Sequence, residues 1–213
     1  MIEVKLIDKM GSDLTVVNAA RVSFHKESKV LSEKDKKFIE YLAKYKHTTP
    51  FRHVQFQFRC KAPIFLARQL GKHQVGMSWN EVSRRYVDSL PDFYYPEVWR
   101  KRPDDGIKQG SKEEPIALNE HVHGMYDEFL LGAQRVYLRL LEIGVAPELA
   151  RIVLPQSMIT EWVWTGSMLA FFNVWKQRSD GHAQYEAREF ARLLDSAIPE
   201  DCRFSWDALK QWL

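Results

Sequence analysis

A short segment, Arg68–Tyr86 (RQLGKHQVGMSWNEVSRRY), concentrates the residues of this sequence that could do chemistry. A helical pattern runs into it and breaks at glycines. The segment contains a single carboxylate, Glu81, and five basic or imidazole side chains: Arg68, Lys72, His73, Arg84 and Arg85. Glycine, serine and asparagine residues leave backbone amides and hydroxyl groups available, and cations beside such a backbone suit a phosphate. The segment is therefore predicted to hold an anionic small molecule, with a solvated basic face as the alternative.

A second polar centre lies between Asn173 and His182. Asn173 and Gln177 are four residues apart and share one face of a predicted helix. Arg178 follows at the end of that helix, where its planar guanidinium could bind a bidentate partner. The two centres together predict a ligand that carries phosphate, and the residues alone leave the reaction open.

The familiar catalytic motifs are absent from the sequence, which has no GxGxxG after a strand, P-loop, GxSxG or HExxH. Ser83 and His73 could form a nucleophile and its base, although no acid is assigned to orient the imidazole. The two cysteines, Cys60 and Cys202, form no CxxC pair, which disfavours a disulfide framework and a zinc ribbon. Cys60 lies on the apolar face of a predicted strand, so we expect a buried thiol there, and we expect no metal site.

The composition indicates one soluble domain, predicted to span residues 1–213. Hydrophobic residues make up 45% of the chain, which is enough for a core, and the net charge of +3 favours anionic ligands mildly. That charge falls short of a protein that coats nucleic acid. The start of the chain is too charged for a signal peptide and no apolar run is long enough to span a membrane, so we expect a cytoplasmic protein.

The hydrophobic periodicity predicts an α+β fold, in which helices cover a small mixed sheet. Strands are predicted at 2–7, 54–61 and 158–165. Helices are predicted at 13–21, after the Ser32–Asp35 capping box, from Pro63 to Gly71, at 115–143, after Pro147, at 167–177, at 184–197, and at the C-terminus with Ser205 as cap. Residues 88–114 are predicted to form a loop-rich excursion. The helices carry more apolar surface than so small a sheet could bury, which suggests oligomer contacts.

The first polar segment also resembles a known family. ARQLGKHQVGMSWNEVSRRY resembles the signature region of the flavin-dependent thymidylate synthases, which reads Arg-His-Arg, seven residues, then Ser. Further segments resemble that family in the same order, namely NAARVSF at 18–24, HTTPF at 47–51, KAPIFLARQ at 61–69, ARIVLP at 150–155 and RSDGHAQYE at 178–186. The resemblance covers nearly the whole chain apart from the excursion.

This resemblance implies the thymidylate synthase-complementing protein fold, assembled as a homotetramer whose active sites are shared between subunits. It implies methylation of dUMP to dTMP, with 5,10-methylenetetrahydrofolate as carbon donor and FAD, reduced by NADPH, as hydride carrier. The cofactor carries the hard chemistry in such a reaction, and the protein supplies binding, orientation and electrostatics. We expect neither nucleic acid nor a membrane as partner.

Site residues follow by position within the matching motifs. The resemblance assigns the catalytic role to Arg178, which would stabilise charge on the uracil ring. It assigns FAD binding to Ser23, Thr49, Lys72, His73, Gln74, Glu81, Asn173 and His182. It assigns dUMP binding to Gln69, Lys72, Glu81, Ser83, Arg84, Arg85, Arg151 and Arg178. His47 falls on the folate side, and Ser83 becomes a ligand contact rather than a nucleophile.

The chain also departs from the family pattern. Lys72-His73-Gln74 stands in the place of Arg-His-Arg, and residues 75–82 are one more than the usual spacing. Ser167-Met168-Leu169 stands where the family often has Asn-x-Arg. These departures leave a pyrimidine nucleotide hydroxymethylase on the same scaffold as an alternative. A single-stranded nucleic-acid binder, which would use basic residues with interleaved Trp and Tyr, is a third hypothesis.

Overall fold

The computed structural model describes residues 2–104 and 110–213. In these residues four strands form one sheet in the order β1-β2-β4-β3, with β1 Glu3–Met10, β2 Gln55–Pro63, β3 Met77–Glu81 and β4 Ile159–Ser167. Every neighbouring pair is antiparallel, so the prediction of a mixed sheet is wrong. The reason is topological: after β2 the chain returns along the sheet and β3 starts where β2 started, while β4 inserts between them in the opposite direction.

The predicted helices are present, with shifted ends. They are α1 Asp13–Arg21, α2 Glu33–Lys44, α3 Ile64–Leu70, α4 Asn119–Glu142, α5 Pro147–Ala150, α6 Met168–Arg178, α7 Tyr185–Ser196 and α8 Arg203–Trp212. The Ser32–Asp35 capping box opens α2 as predicted, with reciprocal hydrogen bonds between the two residues. Pro63 precedes α3 as its N-cap instead of opening its first turn.

The prediction that Ser205 caps the C-terminal helix is wrong. Cys202 is the N-cap of α8, and Ser205 is buried inside its first turn. The carboxylate of Asp13 replaces the expected serine, because it accepts hydrogen bonds from the backbone N–H groups of Phe204 at 3.2 Å and Ser205 at 2.8 Å. Asp13, the first residue of α1, thus accepts hydrogen bonds from two N–H groups in the first turn of α8 that have no partner within that helix.

The core lies on the sheet face that α6 and α7 cover. The alternation that begins at Val54, just before β2, buries Val54, Phe56, Phe58 and Cys60, as the sequence predicts. Phe58 meets Phe171 of α6 edge to face at a centroid distance of 4.8 Å. This packing holds α6 rigidly against the sheet, and Arg178, the last residue of α6, takes its position from it.

The described parts of the excursion, 88–104 and 110–114, contain no helix or strand, as predicted. The remaining residues, 105–109, lie outside the described part of the chain. Isolated bridges pair Phe93 with Met158 and Arg100 with Pro115, and Tyr94 is buried. Phe93 therefore ties the excursion to the residue before β4, and Arg100 ties it to the residue that directly follows the excursion. Among the described residues no helix is both long and apolar enough to cross a membrane.

Candidate functional site

A cavity of about 530 Å³ lies between α3, the loop that follows it and the edge strand β3. Its lining consists of Ile64, Ala67, Arg68, Gly71, Lys72, His73, Gln74, Met77, Trp79 and Glu81. The lining combines positive charge, a flat aromatic side chain and glycine backbone that a ligand can approach closely. The segment that the sequence singled out thus folds around one cavity.

The turn between α3 and β3 shapes the floor of this cavity. Gly71 follows the last residue of α3, and the N–H of His73 donates to the carbonyl of Leu70 at 3.0 Å. Gly76 has a left-handed backbone with φ of +72°, which glycine adopts without steric cost. The N–H of Met77 then donates to the carbonyl of Gln74 at 3.1 Å and starts β3. Lys72, His73 and Gln74 are therefore held on a short, tight connection.

Arg178 reaches this connection from α6. Its Nε donates to Nε2 of His73 at 3.1 Å, and its Nη2 donates to the backbone carbonyl of Gln69 at 3.3 Å. Because Nε2 of His73 accepts a hydrogen bond, the imidazole is neutral and carries its proton on Nδ1. Burial, and then the charge of Arg178, lower the pKa of His73, which is consistent with the neutral form. Burial also lowers the pKa of Arg178.

Two donors that sequence reasoning missed orient the carboxylate of Glu81. Trp79 Nε1 donates to Oε2 at 3.1 Å, and Thr160 Oγ1 donates to Oε1 at 2.7 Å. Trp79 lies two residues before Glu81 on the same face of β3, which is a signal that the alternation of a strand offers. Thr160 lies on β4 and carries no such signal, because its position depends on the pairing of β3 with β4.

A second cavity of about 360 Å³ lies on the other side of Glu81. Ile64 and Glu81 line both cavities, and Arg84 and Arg151 line the second one. The structure therefore brings two of the predicted phosphate-binding arginines together, although 67 positions separate them in the sequence. Two carboxylates, Glu81 and Glu148, line the second cavity together with the two arginines. Glu81 lies between this cavity and the one that contains His73.

The geometry disfavours Ser83 as a nucleophile activated by His73. The hydroxyl of Ser83 accepts hydrogen bonds from the backbone N–H of Arg85 at 3.3 Å and from its Nε at 3.2 Å. The imidazole nitrogen that would act as the base already accepts from Arg178. Ser83 is thus placed beside a cation, where its hydroxyl could contact an anionic ligand.

Both cysteines are buried free thiols, as predicted for Cys60. Burial raises the pKa of Cys60, and burial together with the charge of Asp201 raises the pKa of Cys202 to about 12. Both side chains are therefore neutral at physiological pH and unsuited to attack on a pyrimidine ring. Among the described residues no group of three or more His, Cys, Asp or Glu side chains has an arrangement that could hold a metal ion.

Several predicted FAD contacts lie elsewhere on the surface of this chain. Ser23, Thr49, Asn173 and His182 are exposed, and none of them is among the described residues that line the two cavities. His47 is exposed as well. At the three positions of the family's Asn-x-Arg, Ser167 caps α6, and Met168 and Leu169 are buried in the core. The assignment of the exposed residues to FAD stays a prediction.

Comparison with known sequences identifies relatives along nearly the whole chain. The family model described as "Thymidylate synthase complementing protein" matches residues 5–200. A flavin-dependent thymidylate synthase of Kosmotoga olearia is 40% identical over 206 residues, which cover 96% of this chain and 88% of that relative. One of Thermosipho africanus is 39% identical over 204 residues, which cover 96% of this chain and 89% of that relative.

Solved structures agree with the sequence relatives. A UMP/dUMP methylase, PolB from Streptomyces cacaoi, bound with 5-Br dUMP, has a TM-score of 0.89 and 29% identity, over 100% of this chain and 96% of that one. The same methylase bound with 5-Br UMP has a TM-score of 0.87 and 28% identity. Since the family model spans most of the chain and relatives near 40% identity align along almost all of it, the chain belongs to the thymidylate synthase complementing protein family, that of the flavin-dependent thymidylate synthases.

Proposed function

We propose that this chain methylates dUMP to dTMP as a flavin-dependent thymidylate synthase. In this proposal 5,10-methylenetetrahydrofolate is the carbon donor, and FAD reduced by NADPH is the hydride carrier. The observation that carries it is the guanidinium of Arg178, which His73 and the Gln69 carbonyl hold beside a basic cavity. The names of the relatives and the dUMP analogue bound to PolB support it.

The residues around the larger cavity fit a flavin nucleotide. Trp79 and Met77 offer the flat and apolar surface that a ring system needs, and Arg68 and Lys72 offer positive charge for a pyrophosphate. Lys72 meets a phosphate as a point charge and lacks the planar grip of arginine. A bound reduced flavin supplies the hydride, and the chain's own task is to bind, orient and exclude water.

The residues around the smaller cavity fit dUMP. Arg84 and Arg151 provide positive charge for its phosphate, and Ser83 and Arg85 lie in the same segment. Arg178 contacts His73 and Gln69 at the larger cavity, so in this proposal the pyrimidine ring extends past Glu81 toward it. A guanidinium has five N–H donors, and two of those of Arg178 are used within the chain. A fixed guanidinium favours negative charge that develops on the pyrimidine ring during methylation. Glu81, oriented by Trp79 and Thr160, lies between the two ligands in this arrangement.

We also propose that the protein is a homotetramer whose active sites are shared between subunits. The long helix α4 exposes several large apolar side chains, among them Met125, Phe129 and Val136. A contiguous exposed apolar surface of this kind is typical of an interface. The exposed positions of Ser23, Thr49, Asn173 and His182 are consistent with contacts to a flavin held against a neighbouring subunit.

The product and the sugar of the substrate distinguish this proposal from its alternatives. A hydroxymethylase would yield a product heavier than dTMP by one oxygen atom. PolB is described as a methylase of UMP as well as dUMP, which makes UMP the second substrate to test. A nucleic-acid binder would instead lose affinity for polynucleotides steeply as the salt concentration rises.

The test is turnover of the purified protein with FAD, NADPH, 5,10-methylenetetrahydrofolate and either dUMP or UMP, with the product identified by mass. We expect a yellow protein and dTMP, and no product when the folate is omitted. Arg178→Ala is expected to lower kcat by roughly 100-fold or more. Arg178→Lys keeps the charge without the planar fork and is expected to restore part of the loss. Absence of flavin binding, or full turnover by Arg178→Ala, would contradict the proposal.

A further inference from the structure

A buried carboxylate outside both cavities, Glu186, is the centre of a polar network. Only 2% of Glu186 is exposed, and its Oε1 accepts hydrogen bonds from Tyr94 Oη at 3.2 Å and from Nη2 of Arg100. Its Oε2 accepts from Nε2 of Gln184 at 2.8 Å. Burial by itself raises the pKa of this carboxyl, but hydrogen bonds from Arg100 and Gln184 hold it below its usual value. Glu186 is therefore ionised.

An ionised carboxylate can only accept hydrogen bonds, and this fixes the side chains next to it. Gln184 has to turn its NH2 group toward Glu186, which points its carbonyl oxygen the other way. That oxygen accepts a hydrogen bond from Nε2 of Gln69. The amide orientations of Gln184 and Gln69 are thus set in sequence by the charge on Glu186.

The same network ends at the proposed catalytic residue. The backbone carbonyl of Gln69 accepts from Nη2 of Arg178, and the side chain of Gln69 is held by Gln184. Gln69 is on α3, Arg178 ends α6, and Gln184 directly precedes α7. Arg178 donates to Gln69, Gln69 donates to Gln184, and Gln184 donates to Glu186. This series of hydrogen bonds joins α3, the end of α6 and the start of α7.

We infer that Glu186, Gln184 and Arg100 are positioning residues, which orient Gln69 and through it the guanidinium of Arg178. The catalytic part of this inference rests on the proposed function. It also assigns a role to the excursion at 88–114, because Tyr94 and Arg100 belong to it and close the network from the far side. None of these residues needs to touch the substrate.

The chain offers a matched control at the other end of α7. Asp195 is also a hydrogen-bonded carboxylate, which accepts from Arg203 and Lys210 and from Trp206 Nε1. These partners lie on α8, where Trp206 and Lys210 also pack against Trp175 of α6. Among the described residues Asp195 makes no hydrogen bond to Gln69, Gln184 or Arg178. Asp195→Asn therefore perturbs a comparable network on the same helix and removes no hydrogen bond of Gln69, Gln184 or Arg178.

The first measurement is steady-state kinetics of the holoenzyme. Gln184→Met removes the hydrogen bonds of the amide and keeps its size and the Glu186–Arg100 ion pair. We expect kcat to fall roughly ten- to hundredfold, since misorientation of a catalytic group costs that much, with a smaller change in the KM for dUMP. Glu186→Gln lets the amide of Gln184 flip and is expected to act in the same direction. Asp195→Asn is expected to keep the wild-type kcat.

The second measurement is independent of turnover. Because Arg178 donates to His73, the pKa of His73, followed by nitrogen-15 NMR of labelled histidines, reports the position of the guanidinium. The other charged residues around the larger cavity, which His73 lines, are Arg68, Lys72 and Glu81, and none of them is changed in these variants. We expect the pKa of His73 to rise in Gln184→Met, where Arg178 is held less closely, and to keep its wild-type value in Asp195→Asn.

These results separate the positioning role of the network from the proposed function. If the wild-type protein makes no dTMP, the proposed function fails, and the titration of His73 still decides whether the network holds Arg178. A wild-type kcat and an unchanged His73 titration in Gln184→Met would overturn the positioning role. Equal losses in Asp195→Asn would also overturn it, since they would show a general effect of loosening α7.

Discussion

The hydrogen bond between Arg178 and His73 decides the chemistry of both side chains. His73 has to stay neutral to accept it, and burial, followed by the charge of Arg178, lowers the pKa of His73 and so favours the neutral form. The resemblance assigns His73 to flavin binding and Arg178 to catalysis, and the structure adds that the two are direct neighbours. At the scale of single residues, the candidate site is thus sensitive to one proton.

The lowered pKa of His73 makes stability depend on pH. Below about pH 6.5 the unfolded chain binds a proton on this imidazole that the folded chain does not, so the free energy of unfolding decreases as the pH falls from there toward the folded pKa. Above that range His73 is neutral in both states and makes no such contribution. We expect His73→Gln to lose less stability than the wild type between about pH 7 and pH 5.5.

Urea unfolding at the two pH values checks this expectation. Glutamine at position 73 can still accept from Arg178, which limits other effects of the substitution. The exposed His53 serves as the control, and His53→Gln is expected to follow the wild type. An equal loss of stability in His73→Gln and the wild type would show that His73 does not resist protonation.

At the scale of elements, the site depends on how closely β3 packs beside β4. Gly166 of β4 pairs with Met77, the first residue of β3. A Cβ at this position would overlap the Met77 side chain and lie 3.1 Å from the carbonyl oxygen of Gly76. The methionine can rotate away, but the backbone at Gly76 would have to shift. Because Gly166 has no side chain, the turn at Gly76 can lie close to β4, and this turn forms part of the cavity floor.

Gly166→Ala is expected to lower the free energy of unfolding by about 1–3 kcal/mol, as overpacking does. It is also expected to weaken flavin binding, because the turn at Gly76 carries Lys72 to Gln74. Gly124→Ala is the matched control, since a Cβ there meets nothing within 4 Å among the described residues and α4 gains about 0.5–1 kcal/mol from replacing glycine. Thermal unfolding and flavin titration of both variants provide the measurement.

At the scale of the whole molecule, the exposed side of α4 carries the prediction of assembly. Met125 and Phe129 are one helical turn apart and expose 58% and 54% of their surface. We expect the double variant Met125→Glu, Phe129→Glu to reduce the particle mass below that of a tetramer in sedimentation velocity. If active sites are shared between subunits, the same variant loses flavin. Met10→Glu, an equally exposed methionine on β1, is the control and is expected to stay tetrameric.

The local patterns of the sequence were sufficient for the helices and for three of the four strands, and they missed β3, which lies inside the segment predicted to hold an anion. Alternation in β2 and three-to-four spacing in the helices depend on neighbouring residues, so helices and strands lie close to their predicted places. The burial of Cys60 follows in the same way. The family was recognisable because its motifs occur in order along the chain.

Contacts between distant residues account for what those patterns left open. The place of β4 between β2 and β3 makes the sheet antiparallel, and Asp13 caps α8 in place of the local Ser205. The hydrogen bond from Arg178 to His73 and the network behind Gln69 join groups about a hundred residues apart. No periodicity links such positions, because their distance depends on how helices pack on the sheet. Packing therefore turns a basic segment and a remote arginine into one candidate site.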